Sequence, residues 1–478
     1  MNKKIEHPDN VYTQQVKKLL DKVSPVDGRS PSLYADAKNY FSLTPSLISH
    51  IRELEAKRQS ALTRETSAVD IGELQQHIQQ SKQKLEDERL ARIARVNEVS
   101  RHIIELCEGD SYEETQTQSA RFLGTLMLLT QGPATGFARL HQRLKPLYKA
   151  VLLLRLVDKL LQDETTSHPY LALYRPSLAR MSGDEHWQKK WQTELAIPLI
   201  SSALLQDIGL QHNDAQAILL GEKRNLDEFR LLEESQRKQL LKLNYLHTMS
   251  YLKRGLGQPV YEGDNTEEQH RFDKTHEAAN QFREKLMYDA FVSKTGLGEL
   301  LKIPQIYVSI ILSTKHDYTR KELAKGYLLI EQLAKKGGLN TKLAQAFMKI
   351  VGFFPQGFGI TFIPVNERGE EKKQFEYAIV NQLNPKNPGE PHCRVVSRNL
   401  NFVTSGGDEV IEKGRNLFFP ANQKKLMRIG RDRISEIMSQ LQSNFNDKSV
   451  DGLAPPYWEP ADYFAEKKHQ NLWKRGPK

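Results

Sequence analysis

The chain has 478 residues, of which 38% are apolar and 27% charged. It is too apolar for wholesale disorder, too polar for a membrane bundle, and long enough for roughly three domains at about 150 residues each. Its 69 Lys and Arg against 59 Asp and Glu give a net charge of +10, which favours an acidic partner; basic residues are interspersed with acids, so no specific nucleic-acid binding is expected.

Met1 to Asn10 carries Lys3, Lys4, Glu6 and Asp9 and no apolar core, so no secretory signal is expected. Thr44 ahead of Pro45 and Ser46 reads as an N-cap with proline at the first helical position. From Pro45 to about Leu106 the chain is nearly free of Gly and Pro and predicts long helix. Ile71, Ile78 and Leu85 repeat every seven residues before the register shifts, a short heptad pattern that suits a helical hairpin or a dimerising stalk.

Between Ala120 and Leu161 two strongly apolar helices are predicted, separated by a turn at Gln131 to Gly136. The longest apolar run, Ala150 to Leu161, is broken by Arg155, Asp158 and Lys159 and is too short to span a bilayer. After an interruption at His168 to Asp184, helical spacing returns from Trp187 to Leu205 and from Gln211 to Leu256. Gln258 to His276 reads as an exposed polar loop, with more helix to about Lys336.

Beyond Gly352 the character changes. Phe358 to Val365, Phe375 to Leu383 and Cys393 to Val396 are β-branched and aromatic runs separated by Gly, Asn and Pro, predicting a small antiparallel sheet. A last helix is predicted from Asn422 to about Phe445, with Leu426, Ile429, Ile437, Met438 and Leu441 on one face. The tail from Asp447, with Pro455, Pro456, Trp458 and Trp473, is expected to wrap over the surface. The fold expected is mainly α, with helical residues 1–119 and 120–351, a β-appendage over 352–420, and a helix and tail over 421–478.

Local patterns reveal no catalytic constellation. Cys107 and Cys393 lie far apart without CxxC spacing or a His-rich neighbourhood, which excludes a disulfide framework and a cysteine zinc site and fits a reducing cytoplasm. HExxH, GxxxxGK[ST] and GxSxG are missing, and the glycines Gly352, Gly357 and Gly359 read as turn geometry leading into the first strand. His270 and His276, six apart, fall on different sides of a helix.

An ordered series of fragments nevertheless stands out. Ile197 to Gly209 (IPLISSALLQDIG) resembles the ALLHDIG helix of HD-superfamily phosphohydrolases, with Gln206 in place of the histidine. Lys294 to Pro304 (KTGLGELLKIP), holding Gly296, Gly298 and Pro304, resembles a worn form of the DGSGYP…IP loop of the HD-GYP branch. Ser313 to Leu323 is similar to that family's TSDRPYRKAL segment, and Leu333 to Phe358 to its GG.FDP.LV.AFL..LG.YP.GS ending. FGITFIPVNERGEE matches the short β-appendage that follows. The series spans about residues 150–400, and Gly337 to Phe358 is its most specific part.

The resemblance implies an HD-like helical bundle and, in active members, two or more divalent metals such as Fe or Mn that activate water against cyclic di-GMP. Of the ligands, Asp207 survives and His247 is the candidate second remnant; the paired histidines fall on Ala290 and Phe291, and the later aspartate near Tyr307. That implies no metal, no cofactor and no catalytic residue. The leading expectation is a cytoplasmic bacterial pseudoenzyme, a binding or signalling module with a protein partner in cyclic di-GMP-linked regulation. A retained cyclic dinucleotide would call on Lys294, Lys302, Lys315 and Arg320 for its phosphates. Two alternatives stay open: a divergent phosphodiesterase recruiting metal through Asp207, His247 and His270 or His276, and a homo-oligomeric scaffold built on Ile71, Ile78 and Leu85. For Asp207 a plain role in capping the turn at Gly209 also stays open.

Overall fold

The computed structural model describes residues 9–28, 30–63, 68–130, 136–175, 177–372, 374–404, 406–426 and 456–473. It is mainly α, with a small antiparallel sheet near the C-terminus. Helices α1 (Val11–Val23), α2 (Leu33–Thr63), α3 (Ala68–Cys107) and α4 (Tyr112–Leu128) come first. Asn10 caps α1 by accepting from Thr13 N–H, and Ser111 caps α4 by accepting from Glu114 N–H. Among the described residues no helix is long and apolar enough to cross a membrane.

The predicted N-cap at Thr44 is corrected: α2 starts near Ser32, whose hydroxyl accepts from Ala35 N–H at 3.1 Å, and runs straight through Pro45. An interior proline costs a helix about 3 kcal/mol. Burial of Leu33, Ala37 and Phe41 before it and Ile51 and Leu54 after it holds both halves in one helix. The heptad residue Ile78 of α3 is buried in the hairpin that α2 and α3 form, while Ile71 and Leu85 are half-buried. A Lys82–Glu55 ion pair at 2.7 Å ties the same two helices together.

Helix α5 (Phe137–Gln162) is the axis of the molecule; nearly every residue from Leu144 to Leu161 is buried, as a helix apolar on all sides requires. Short α6 (Pro169–Ala172) and α7 (Glu185–Trp191) lead into α8 (Ile197–Leu205), which packs along α5. Then follow α9 (Asn213–Leu220), α10 (Glu234–Ser250), α11 (Thr266–Val292), α12 (Glu299–Ile311), α13 (Lys325–Lys335) and α14 (Thr341–Val351). Two segments widen into π-helix, Gln192–Ala196 and Tyr251–Leu256. The predicted loop at Gln258 to His276 is corrected in its second half. Asn265 accepts from Glu267 and Glu268 N–H and starts α11, so His270 and His276 stand on a helix.

The strands β1 (Gly359–Phe362), β2 (Glu376–Val380), β3 (His392–Val395) and β6 (Asp408–Val410) form one antiparallel sheet in that order. β4 (Ser397–Arg398) and β5 (Asn401–Phe402) make a separate hairpin. The three strands expected from sequence are β1, β2 and β3, and Gly352 and Gly357 turn the chain into β1 with positive φ. Of the predicted last helix only α15 (Pro420–Leu426) is described; Ile429, Ile437, Met438 and Leu441 lie outside the described residues, as does most of the turn at Gln131 to Gly136.

The described part of the tail, 456–473, is not a surface wrap. Trp458, Tyr463 and Phe464, the last two in α16 (Ala461–Phe464), and Trp473 are buried in the same core cluster as α5 and the sheet, and Trp458 Nε1–H donates to Ala378 O at 3.0 Å. A large apolar ring left in water forfeits about 1.5–3 kcal/mol, which is why four aromatics in one short tail draw it inward.

Candidate functional site

Asp207 follows the C-terminus of α8, where the chain turns sharply toward α9. Gly209 makes the turn possible by close approach: a Cβ there would lie 2.3 Å from Asn244 O and 2.8 Å from Thr248 N. Its N–H donates to Thr248 Oγ1 at 3.0 Å, and that hydroxyl donates to Asn244 Oδ1 at 3.1 Å. Asn244 Nδ2 in turn donates to Asp207 Oδ1 at 3.3 Å. Asp207 makes no side-chain cap to the turn at Gly209. The segment IPLISSALLQDIG is thus clamped onto α10.

The opposite side of Asp207 faces a cation supplied by the chain. Lys149, from the middle of the apolar α5, is 1% exposed. Its ammonium donates to Gln206 Oε1 at 2.7 Å and Gln305 Oε1 at 2.8 Å, and lies 3.6 Å from Asp207 Oδ2. Burial lowers the Lys149 pKa, and the Asp207 charge opposes that fall. One turn earlier, burial pushes Lys145 down to about 8, with Asp207 opposing and Lys149 adding to the fall. Burial and the same carboxylate raise the Tyr34 hydroxyl. Three oxygens around one ammonium make a satisfied buried cation site.

The other positions to which the resemblance would assign ligands are packing. Ala290 and Phe291 lie half-buried against the core, and Phe291 meets Tyr245 at 5.4 Å between ring centroids. Tyr307 is 1% exposed and packs edge-on against Phe347.

His247 does not turn toward Asp207. Its ring stacks on His212 at 3.5 Å between centroids, 6° from parallel. With Asp214, this pair is the one group among the described residues in which three His, Cys, Asp or Glu donors fall within 4.8 Å of one another. Parallel rings aim their in-plane lone pairs along separate lines, and His212 Nδ1 already accepts from Asp214 N–H at 3.2 Å, so a metal would bind both only after one ring turned. Asp207, His270 and His276 belong to no such group among the described residues.

The loop holding Gly296 and Gly298 closes on an anion of its own. Asp289 accepts from the N–H groups of Lys294 (2.7 Å), Thr295 (2.6 Å) and Gly298 (2.7 Å). A Cβ on Gly298 would lie 2.1 Å from Ala290 N, so only glycine fits. Burial raises the Asp289 pKa, but these three donors outweigh it and hold the carboxyl below its ordinary value. A depressed carboxyl pKa contributes stability that is present above the unfolded value of about 3.9 and is lost as pH falls through the folded one. Asp289→Asn is therefore expected to cost about 2 kcal/mol at pH 7, with the difference shrinking toward pH 3, as measured by urea unfolding at both pH values.

Pro304 is buried inside α12. The four candidate phosphate residues have separate surroundings. Lys294 stands over Tyr288 at 5.9 Å, and Lys315 is exposed. Lys302 is half-buried on α12. Arg320 is buried, pairing with Glu459 at 2.5 Å and donating to Thr130 O.

Sequence reasoning missed Lys149, Asn244 and Gln305. Only Lys149 left a local trace, as a cation heading the apolar run from Ala150. No family model matches the chain, and no match was found among curated proteins or solved structures.

Proposed function

We propose that this chain is a non-catalytic binding or signalling module on an HD-like helical frame, working through a protein partner in cyclic di-GMP-linked regulation. The observation that supports this reading best is the Lys149 ammonium among Asp207, Gln206 and Gln305. A catalytic metal must coordinate its carboxylate directly at about 2 Å and hold a water nearby. Here the Lys149 ammonium stands against the carboxylate's charge, and an ammonium carries no exchangeable ligand position on which water could be activated. Ala290, Phe291 and Tyr307 fill with apolar and aromatic bulk the positions where the resemblance puts further ligands.

The purified full chain is expected to hold no stoichiometric iron, manganese or zinc by elemental analysis. It is also expected to leave cyclic di-GMP uncleaved when any of these metals is added. Metal-dependent cleavage that disappears in Asp207→Asn would overturn the reading.

A further inference from the structure

A second buried cation makes no ion pair among the described residues. Between α3, α8 and α11 lies a cavity of about 620 Å³, within the roughly 300–1,000 Å³ of small-molecule sites. Arg283 of α11 lines it and is 9% exposed. Its Nε has no hydrogen-bond partner, and among the described residues no ion pair reaches the guanidinium. Burial pushes its pKa down to about 10, opposed only by neighbouring Glu284, whose carboxylate lies 3.7 Å from Lys253. Chains seldom bury an unpaired guanidinium, because desolvation costs several kcal/mol that nothing in the protein returns.

The surroundings fit an anion with an apolar body. Ile93 and Val96 of α3, Ile197 of α8 and Ala279 of α11 supply apolar wall, and the Phe272 and His276 rings, 4.2 Å apart, stand on the α11 side. Arg101, Lys189 and Arg271 are exposed and line the same space. The two carboxylates that face it are already engaged: Glu194 accepts from Tyr174 Oη at 2.8 Å and Glu268 from Tyr261 Oη at 2.7 Å.

Both π-helical segments among the described residues border the cavity, one through Thr193 and Glu194 and the other through Leu256. Such wide turns give up helix regularity and concentrate at functional sites. The second is pinned to α3, where Arg92 Nε–H donates to Gly255 O at 2.8 Å and Arg89 Nη1–H to Leu256 O at 2.7 Å.

We propose that this cavity binds a small amphiphilic oxyanion, a carboxylate or phosphate on an apolar body, with Arg283 as its counter-ion. The inference is independent of the HD-like reading, since the site uses neither Asp207 nor the glycine loop. A planar oxyanion receives two parallel N–H bonds from a guanidinium, which is the geometry an unpaired arginine offers.

Titration calorimetry of the full chain with octanoate, octyl phosphate and 1-octanol tests it. At least one anion is expected to bind saturably, and the tighter of the two identifies the headgroup; the alcohol is expected to bind at least about tenfold more weakly. Arg283→Met is expected to weaken anion binding about 10- to 100-fold without lowering the melting temperature, because no internal partner is lost. Thr275→Trp, which fills the space from a half-buried position, is expected to abolish binding and carries the test should Arg283→Met fail to fold. The proposal is overturned by no saturable binding of either anion up to about 1 mM, by equal binding of the alcohol, or by unchanged affinity in both variants.

Discussion

Arg155→Met is expected to lower the unfolding free energy by about 3–5 kcal/mol, the cost of breaking a buried ion cluster from one side. Arg155 is 1% exposed in its side chain; it pairs with Glu108 and lies 3.2 Å from Asp158. Arg180 completes the group, 3.1 Å from Glu108 and 2.8 Å from Asp158, with its guanidinium over the Trp191 ring at 4.2 Å. Burial works against the charge on Arg155, but the two carboxylates raise its pKa above the ordinary value.

The methionine keeps the stem's volume and removes the charge, leaving two nearly buried carboxylates to share Arg180. Urea unfolding followed by tryptophan fluorescence reads the loss. Adding Glu108→Gln restores overall charge balance, so the double variant is expected to lose less than the sum of the singles. A loss under about 1 kcal/mol for Arg155→Met would mean that the cluster is solvated.

Lys149→Glu is expected to cost about as much, 3–5 kcal/mol, because it replaces the cation with a second carboxylate beside Asp207 and turns the two glutamine oxygens toward like charge. It also yields a second prediction of opposite sign. Two carboxylates with two amide oxygens make a hard-oxygen site of the kind Mn²⁺ takes, so millimolar Mn²⁺ is expected to raise the variant's melting temperature by a few degrees. That rise is expected to vanish when Asp207→Asn is added. Equal stabilisation with and without Asp207 would place the ion elsewhere, with the His212, Asp214 and His247 group the first place to look.

Much of the architecture could be read locally. The run around α5 contains too many consecutive apolar residues to sit anywhere but the core, and β1, β2 and β3 follow from β-branched and aromatic runs set between turn residues. Local rules fail where distant packing outweighs them. Pro45 argues for a helix start, but five apolar side chains buried on both sides of it carry α2 through. The first turns of α11 are polar because they are exposed, so apolar periodicity is missing; the better signal was Asn265 followed by Glu267 and Glu268, an N-cap with acids in the first turn.

The candidate sites were less legible. Around Asp207, a loop after α8 meets side chains from α5, α10 and α12, far apart in the chain, so no spacing rule brings them together. Arg283 is an ordinary basic residue on a charged helix in sequence, and only its burial without a hydrogen-bond partner for Nε among the described residues distinguishes it.

The Lys149 ammonium stands beside Asp207, in contact with Gln206 and Gln305. Anomalous diffraction from wild-type crystals soaked in Mn²⁺ tests this placement most directly. No anomalous peak is expected within about 2.5 Å of the Asp207 carboxylate, with Lys149 still in contact with Gln206 and Gln305. A peak bonded to Asp207, with the Lys149 side chain swung away, would contradict it.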